Sequence, residues 1–126
     1  MRHVWIVDHD EEMSRAVELM LNLLNCDTTS FITVRSAVQT LLTGKMPDLI
    51  ILDIHLPEAS GLDMLEFLRR RPEWKNLPVV MLSSETANAI VDKVLELGAD
   101  SYVKKPVTIE ELEKAMATAF SNHLNV

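Results

Sequence analysis

The chain is 126 residues long and 48% hydrophobic, with a formal net charge of -7 at pH 7; this matches one domain, residues 1–126, with enough apolar content to bury a core. The acidic excess repels phosphate backbones and anionic lipid, so direct nucleic-acid or membrane-surface binding is not expected, and any link to DNA would need another domain. No apolar run approaches the roughly 20 residues of a membrane span, and Met1-Arg2-His3-Val4-Trp5 leads straight into strand-like sequence instead of a signal peptide, so the expected setting is soluble and cytoplasmic.

A first strand is predicted from His3 to Val7, with Asp8 directly after it. Met13, Ala16, Val17, Met20, Leu23 and Leu24 recur at three-four spacing and predict a helix starting near Glu11, with Asp10 placed to cap it. Cys26 has no intrachain partner and, beside Leu23 and Leu24, reads as a small buried filler. A polar, Thr-rich strand from Thr28 to Thr33 is expected at a sheet edge, then a weaker helix from Arg35 to Leu42 and a turn bracketed by Gly44 and Pro47.

The third strand, Asp48 to Asp53, is apolar between its two acids. Leu62, Leu65 and Leu68 mark the next helix, and Arg69-Arg70-Arg71 suits a helix C-terminus. Trp74 lies in the loop before Pro78, where it would cover the core edge. Strands from Pro78 to Ser83 and from Ser101 to Lys104 follow. Between them Ala87, Ile90, Val91, Val94 and Leu95 predict a helix that Gly98 ends, and Thr108-Ile-Glu-Glu111 resembles a capping box opening a helix with Ile109, Leu112, Met116 and Phe120 on one face.

Short apolar strands alternating with helices over five repeats imply an α/β fold: a doubly wound, five-stranded parallel sheet with helices on both faces. Ligands of such sheets bind beyond the carboxyl ends of the strands. Asp8, Asp53 and Ser83 sit just after short apolar runs and Lys105 shortly after Tyr102 and Val103, so two carboxylates, a hydroxyl and an amine are expected at one sheet edge. A carboxylate can attack phosphorus in line when surrounding negative charge is neutralised, which calls for a divalent cation and a fixed ammonium. Mg²⁺, bound by one or two carboxylates, backbone oxygen and waters, is the hard-cation choice.

Val7-Asp8-His9-Asp10, Leu52-Asp53-Ile54-His55-Leu56-Pro57 with Gly61, Leu82-Ser83-Ser84 and Tyr102-Val103-Lys104-Lys105-Pro106 together resemble the signature set of the receiver domain of two-component response regulators, over the whole chain. The resemblance implies a flavodoxin-like (βα)5 fold with strand order 2-1-3-4-5. It implies that Asp53 accepts a phosphoryl group from a histidine kinase or phosphotransfer protein, with Asp8, Asp53 and the His55 backbone carbonyl on Mg²⁺. Ser83 and Lys105 would hold the phosphoryl group, Tyr102 would follow Ser83 as the aromatic switch, and Pro57, Gly61 and Pro106 would shape the turns. The partner or output face would be formed by the fourth helix, fifth strand and fifth helix, with a homodimer among its uses.

His9 breaks the pattern, because the family usually has a second acidic metal ligand there. Imidazole suits Zn²⁺, Cu²⁺ or Ni²⁺ better than Mg²⁺. Three readings stand: a weakened magnesium site, with Asp10 turned inward in compensation; a phosphorylation-independent interaction module; and a site tuned to a softer divalent metal. The His55 side chain is expected to face solvent, and Tyr102 is either a switch or simply a half-buried strand aromatic. A flavin or nucleotide binder of similar fold needs an anion cradle after the first strand, and Asp8-His9-Asp10-Glu11-Glu12 is the reverse of one.

Overall fold

The structure is a computed structural model, described here for residues 1–84 and 88–123. The elements are β1 (Arg2–Val7), α1 (Glu11–Leu23), β2 (Cys26–Phe31), α2 (Val34–Leu42), β3 (Leu49–Asp53), α3 (Gly61–Arg70), β4 (Val79–Ser83), α4 (Asn88–Glu96), β5 (Ser101–Lys104) and α5 (Ile109–Ser121). All five strands are parallel, in the order β2-β1-β3-β4-β5. This is the doubly wound, flavodoxin-like arrangement expected from the sequence, with the Thr-rich β2 at an edge.

Alternation along the central strands sorts side chains into two cores. Trp5, Val7, Ile50, Leu52, Val79 and Met81 pack under α2, α3 and α4. Val4, Ile6, Leu49, Ile51, Val80 and Leu82 pack under α1 and α5. Every residue of β3 and β4 is buried, which is why their sequences read as unbroken apolar runs. No described helix is long and apolar enough to cross a membrane.

Several boundaries move. The second strand is Cys26–Phe31, not Thr28 to Thr33, because its register starts at Cys26 opposite Arg2, while Thr33 caps α2 by accepting from the Ser36 amide. Asp48 precedes β3, its carboxylate accepting from the His3 amide (2.7 Å). Leu23, placed on the buried stripe of α1, is 77% exposed, and Leu21 is buried instead. Cys26 is buried as expected, and burial pushes its thiol up. Thr108 caps α5 through the Glu111 amide. Ala87 lies outside the described residues.

Arg69 does more than match the charge of a helix end. Its guanidinium donates to the carbonyls of Gly98 (2.8 Å), Leu77 (2.7 Å) and Trp74 (3.3 Å) and pairs with Asp100 (3.2 Å), tying α3 to the loops that lead into β4 and β5. Gly98, at φ +105°, ends α4 as expected and leaves room for this arm; a Cβ there would sit 2.9 Å from Arg69 Cγ. Burial lowers the pKa of Arg69, against the opposing charge of Asp100. Arg69→Lys keeps the charge but cannot bridge three carbonyls with one planar fork. It is expected to cost about 2 kcal/mol in urea unfolding, and an unchanged midpoint would show that the network contributes nothing.

Trp74 is buried, with its ring 5.5 Å from that of Phe67, so it belongs to the core itself.

Candidate functional site

The carboxyl ends of β1, β3 and β4 and the turn after β5 meet on one edge of the sheet. Asp8 leaves β1 with its amide donating to the Phe31 carbonyl (3.0 Å), and its side chain is fully buried. Two residues later Asp10 turns the other way. Its carboxylate accepts from the Met13 amide and caps α1, while its own amide donates to Asp8 Oδ1 (2.9 Å). Asp10 is thus engaged as a helix cap and lies outside the group of donors formed by Asp8, His9 and Asp53.

Asp53 ends β3 and is 2% exposed. The His55 amide donates to its Oδ1 (3.3 Å), and His55 itself is exposed. The loop after Asp53 is pinned by the Gly61 amide on the Ile54 carbonyl (2.8 Å) and by Ser60, whose hydroxyl reaches the same carbonyl (3.4 Å) and caps α3. Ser60 and Asp63 form a full capping box. The sequence reading missed it, although Ser60-Gly-Leu-Asp63 carries the pattern. Gly61 abuts the Asp53 backbone so closely that a Cβ would sit 2.0 Å from the Asp53 carbonyl oxygen. Pro57 is an exposed residue of the same loop.

Lys105 brings the positive charge. Its amide donates to the Ser83 carbonyl (2.9 Å), and the bond to Pro106 is cis. Nζ lies 3.0 Å from Asp8 Oδ2 and 3.4 Å from Asp53 Oδ2. Burial works against its charge, but the hydrogen bond to Asp8 and the charges of Asp53 and Asp8 outweigh this, and its pKa is raised. Ser83 is fully buried at the end of β4. Tyr102 is half-buried on β5, opposite Met81, and packs on the α3 and α4 side of the sheet.

Asp53 holds its proton above the usual carboxylate range, first because it is buried and then because Asp8 is beside it, with Lys105 opposing. The sign follows from linkage: the folded chain binds this proton more readily than the unfolded chain, so Asp53 costs stability above its folded pKa and the cost fades as pH falls through that value. Asp53→Asn is therefore expected to stabilise the metal-free protein at pH 7 by about 1 kcal/mol. That gain shrinks towards about pH 4, where ordinary carboxylates protonate. Urea unfolding of both proteins at the two pH values measures it, and a gain independent of pH would contradict the charge origin.

The donors suit a divalent cation. Asp8, His9 and Asp53 each place one ligand atom within 4.8 Å of the others, and two buried carboxylates face one ammonium among the described residues. Hard carboxylate oxygen fits Mg²⁺.

A family model described as the response regulator receiver domain matches residues 4–117. The chain is 32% identical over 123 residues to the KDP operon transcriptional regulatory protein KdpE of Escherichia coli, covering 98% of this chain and 53% of that protein. It is 30% identical over 109 residues to Protein RcaC of Microchaete diplosiphon, covering 86% and 17%. It thus spans about half, or less, of the length of these curated relatives. Among solved structures, a response regulator from Chloroflexus aurantiacus superposes with a TM-score of 0.89 at 26% identity, over 95% of this chain and 98% of that one. The chemotaxis protein CheY4 of Vibrio cholerae has the same fold, with a TM-score of 0.85 at 24% identity, over 94% and 98%. With the motifs, the topology and the match across most of its length in agreement, the chain belongs to the receiver domain family of two-component response regulators.

Proposed function

We propose that this chain is a single receiver domain that takes a phosphoryl group on Asp53 from the phosphohistidine of a kinase or phosphotransfer protein. One observation carries the proposal: Asp53 is a buried carboxylate at the end of the central strand, pressed against Asp8 and held by Lys105. In the transfer an Asp53 carboxylate oxygen bonds to phosphorus as the phosphorus–nitrogen bond to the donor imidazole breaks, and the imidazole leaves with the bonding pair. Lys105 offsets charge on the phosphoryl oxygens and Ser83 hydrogen-bonds one of them. Asp8, Asp53 and the His55 carbonyl would hold Mg²⁺, which supplies neutralising charge. The domain assists its own phosphorylation and dephosphorylation and turns over no separate substrate.

The added charge acts on a partner by binding one conformer better. Ser83, Tyr102 and the surface of α4, β5 and α5 form the proposed route from the site to an output domain, a partner protein or a second copy. Leu95 (45% exposed) supports that face. The setting proposed is the cytoplasm, where kinase and receiver meet.

The test is incubation with acetyl phosphate and Mg²⁺, followed by intact mass. A gain of one phosphoryl group is expected in the parent and none in Asp53→Asn. A second reading, a phosphorylation-independent interaction module, draws on His9 in place of an acid. The same experiment separates the two, because that module would gain no mass.

A further inference from the structure

The side chain at position 9 is the part of the site that the reading of Asp8 and Asp53 as metal carboxylates leaves unused, and the inference below rests on that reading. His9 Nδ1 lies 3.8 Å from Asp53 Oδ2 and 4.0 Å from Asp8 Oδ1. Lys105 holds Asp8 through Oδ2, while Asp8 Oδ1, the oxygen nearer His9, accepts from the Asp10 amide and keeps a lone pair for an ion; Asp53 Oδ2 lies between His9 and Lys105, 3.4 Å from Nζ. The imidazole is 51% exposed. Two metal–ligand bonds of about 2.1 Å at tetrahedral or octahedral angles set donors roughly 3.0–3.4 Å apart, so the half-exposed ring has only a short inward movement to make to share an ion with the two carboxylates.

We infer that His9 is a metal ligand and makes this a nitrogen–oxygen site selective for a borderline transition-metal ion, of the class of Co²⁺ or Zn²⁺, over Mg²⁺. An octahedral Mg²⁺ site is served by oxygen donors and retained water, and an imidazole adds little to it. Borderline ions gain from nitrogen ligation and follow the Irving–Williams order. Asp10, the remaining acid of the loop, is engaged at the Met13 amide of α1, so the third donor beside the buried pair is nitrogen.

All carboxylate sites favour transition metals to some degree, so the measurement must isolate the part that depends on His9. The chain, its His9→Ala and His9→Asp variants and Asp53→Asn are titrated calorimetrically with CoCl₂ and, separately, MgCl₂. Loss of His9 is expected to lower Co²⁺ affinity by about tenfold or more, at least the effect of losing an outer-shell partner. Mg²⁺ affinity is expected to change little in His9→Ala and to rise in His9→Asp. With Co²⁺ bound, the proton spectrum is expected to hold a strongly shifted imidazole resonance that is absent from His9→Ala.

A Co²⁺ affinity that survives His9→Ala, or a shifted resonance that remains in it, overturns the assignment. Labelling by acetyl phosphate in saturating Mg²⁺ is run in parallel, so the two readings fail separately. Phosphorylation of Asp53 with no His9-dependent metal preference sinks only the His9 ligand. His9-dependent Co²⁺ binding without phosphorylation supports the ligand and removes the phosphoacceptor role.

Discussion

Gly61→Ala is expected to lose more than about 3 kcal/mol of stability, at the upper end of overpacking costs. The added Cβ would stand 2.0 Å from the Asp53 carbonyl oxygen and 2.9 Å from its carbonyl carbon. Those are backbone atoms of a fully buried strand end, so no rotamer change relieves the overlap. Either α3 moves out, breaking the Gly61 to Ile54 hydrogen bond and the Ser60 cap, or the end of β3 moves in. Both displace the Asp53 carboxylate, so a loss of phosphorylation is expected alongside the loss of stability. For a chain of this size the melting temperature falls by roughly 10 °C or more. A fall within about 2 °C would show that the contact between α3 and β3 is looser than described.

Lys105→Ala follows from the charge balance of the site. Without the ammonium, Asp8 and Asp53 face each other buried, and breaking one side of such a group costs about 3 kcal/mol. Part of this is recovered when Asp53 takes up a proton, which its raised pKa already favours. The expected signature is non-additive: in the Lys105→Ala, Asp53→Asn double variant most of the loss disappears, because the repulsion has gone. Phosphorylation by acetyl phosphate is expected to become strongly impaired in Lys105→Ala itself. Denaturant unfolding of the four proteins decides the matter, and additive costs would show that Lys105 stabilises the fold through its alkyl stem and not through its charge.

The residues of the site were legible because a strand buried on both faces must be apolar along its length, so the first polar residue beyond it stands out. Asp8, Asp53 and Ser83 are such residues; Lys105 is not, because Lys104 is the first polar residue after Tyr102 and Val103 and β5 is only part-buried, so the Lys104-Lys105-Pro106 motif marked it instead. Apolar periodicity likewise located the helices. It could not say that Leu23 faces solvent while Leu21 faces the core, because Leu occupies both faces of α1. Nor could it start β2 at Cys26, since that start is set by pairing with Arg2, a contact distant in sequence.

Arg69 shows the same limit more sharply. It sits in a run of three arginines that looks uniform, yet Arg70 is exposed beside Glu66 while Arg69 reaches Gly98 and Asp100, about thirty positions away. Asp10 is the reverse case. Its sequence position fits both a metal ligand and a helix cap, and the amide of Met13 decides for the cap. Ser60-Gly-Leu-Asp63 is a weaker capping-box signal than Thr108-Ile-Glu-Glu111, because Asp63 takes the place of the longer acid usual there.

The central claim is that Asp53 itself carries the phosphoryl group, and chemical trapping tests it most directly. After incubation with acetyl phosphate and Mg²⁺, borohydride reduces an aspartyl phosphate to homoserine, and peptide mass spectrometry then locates the altered residue. The account predicts homoserine at position 53 and unaltered aspartate at positions 8 and 10. Homoserine at position 8 or 10, or none anywhere in a chain that is folded and metal-loaded, would contradict it.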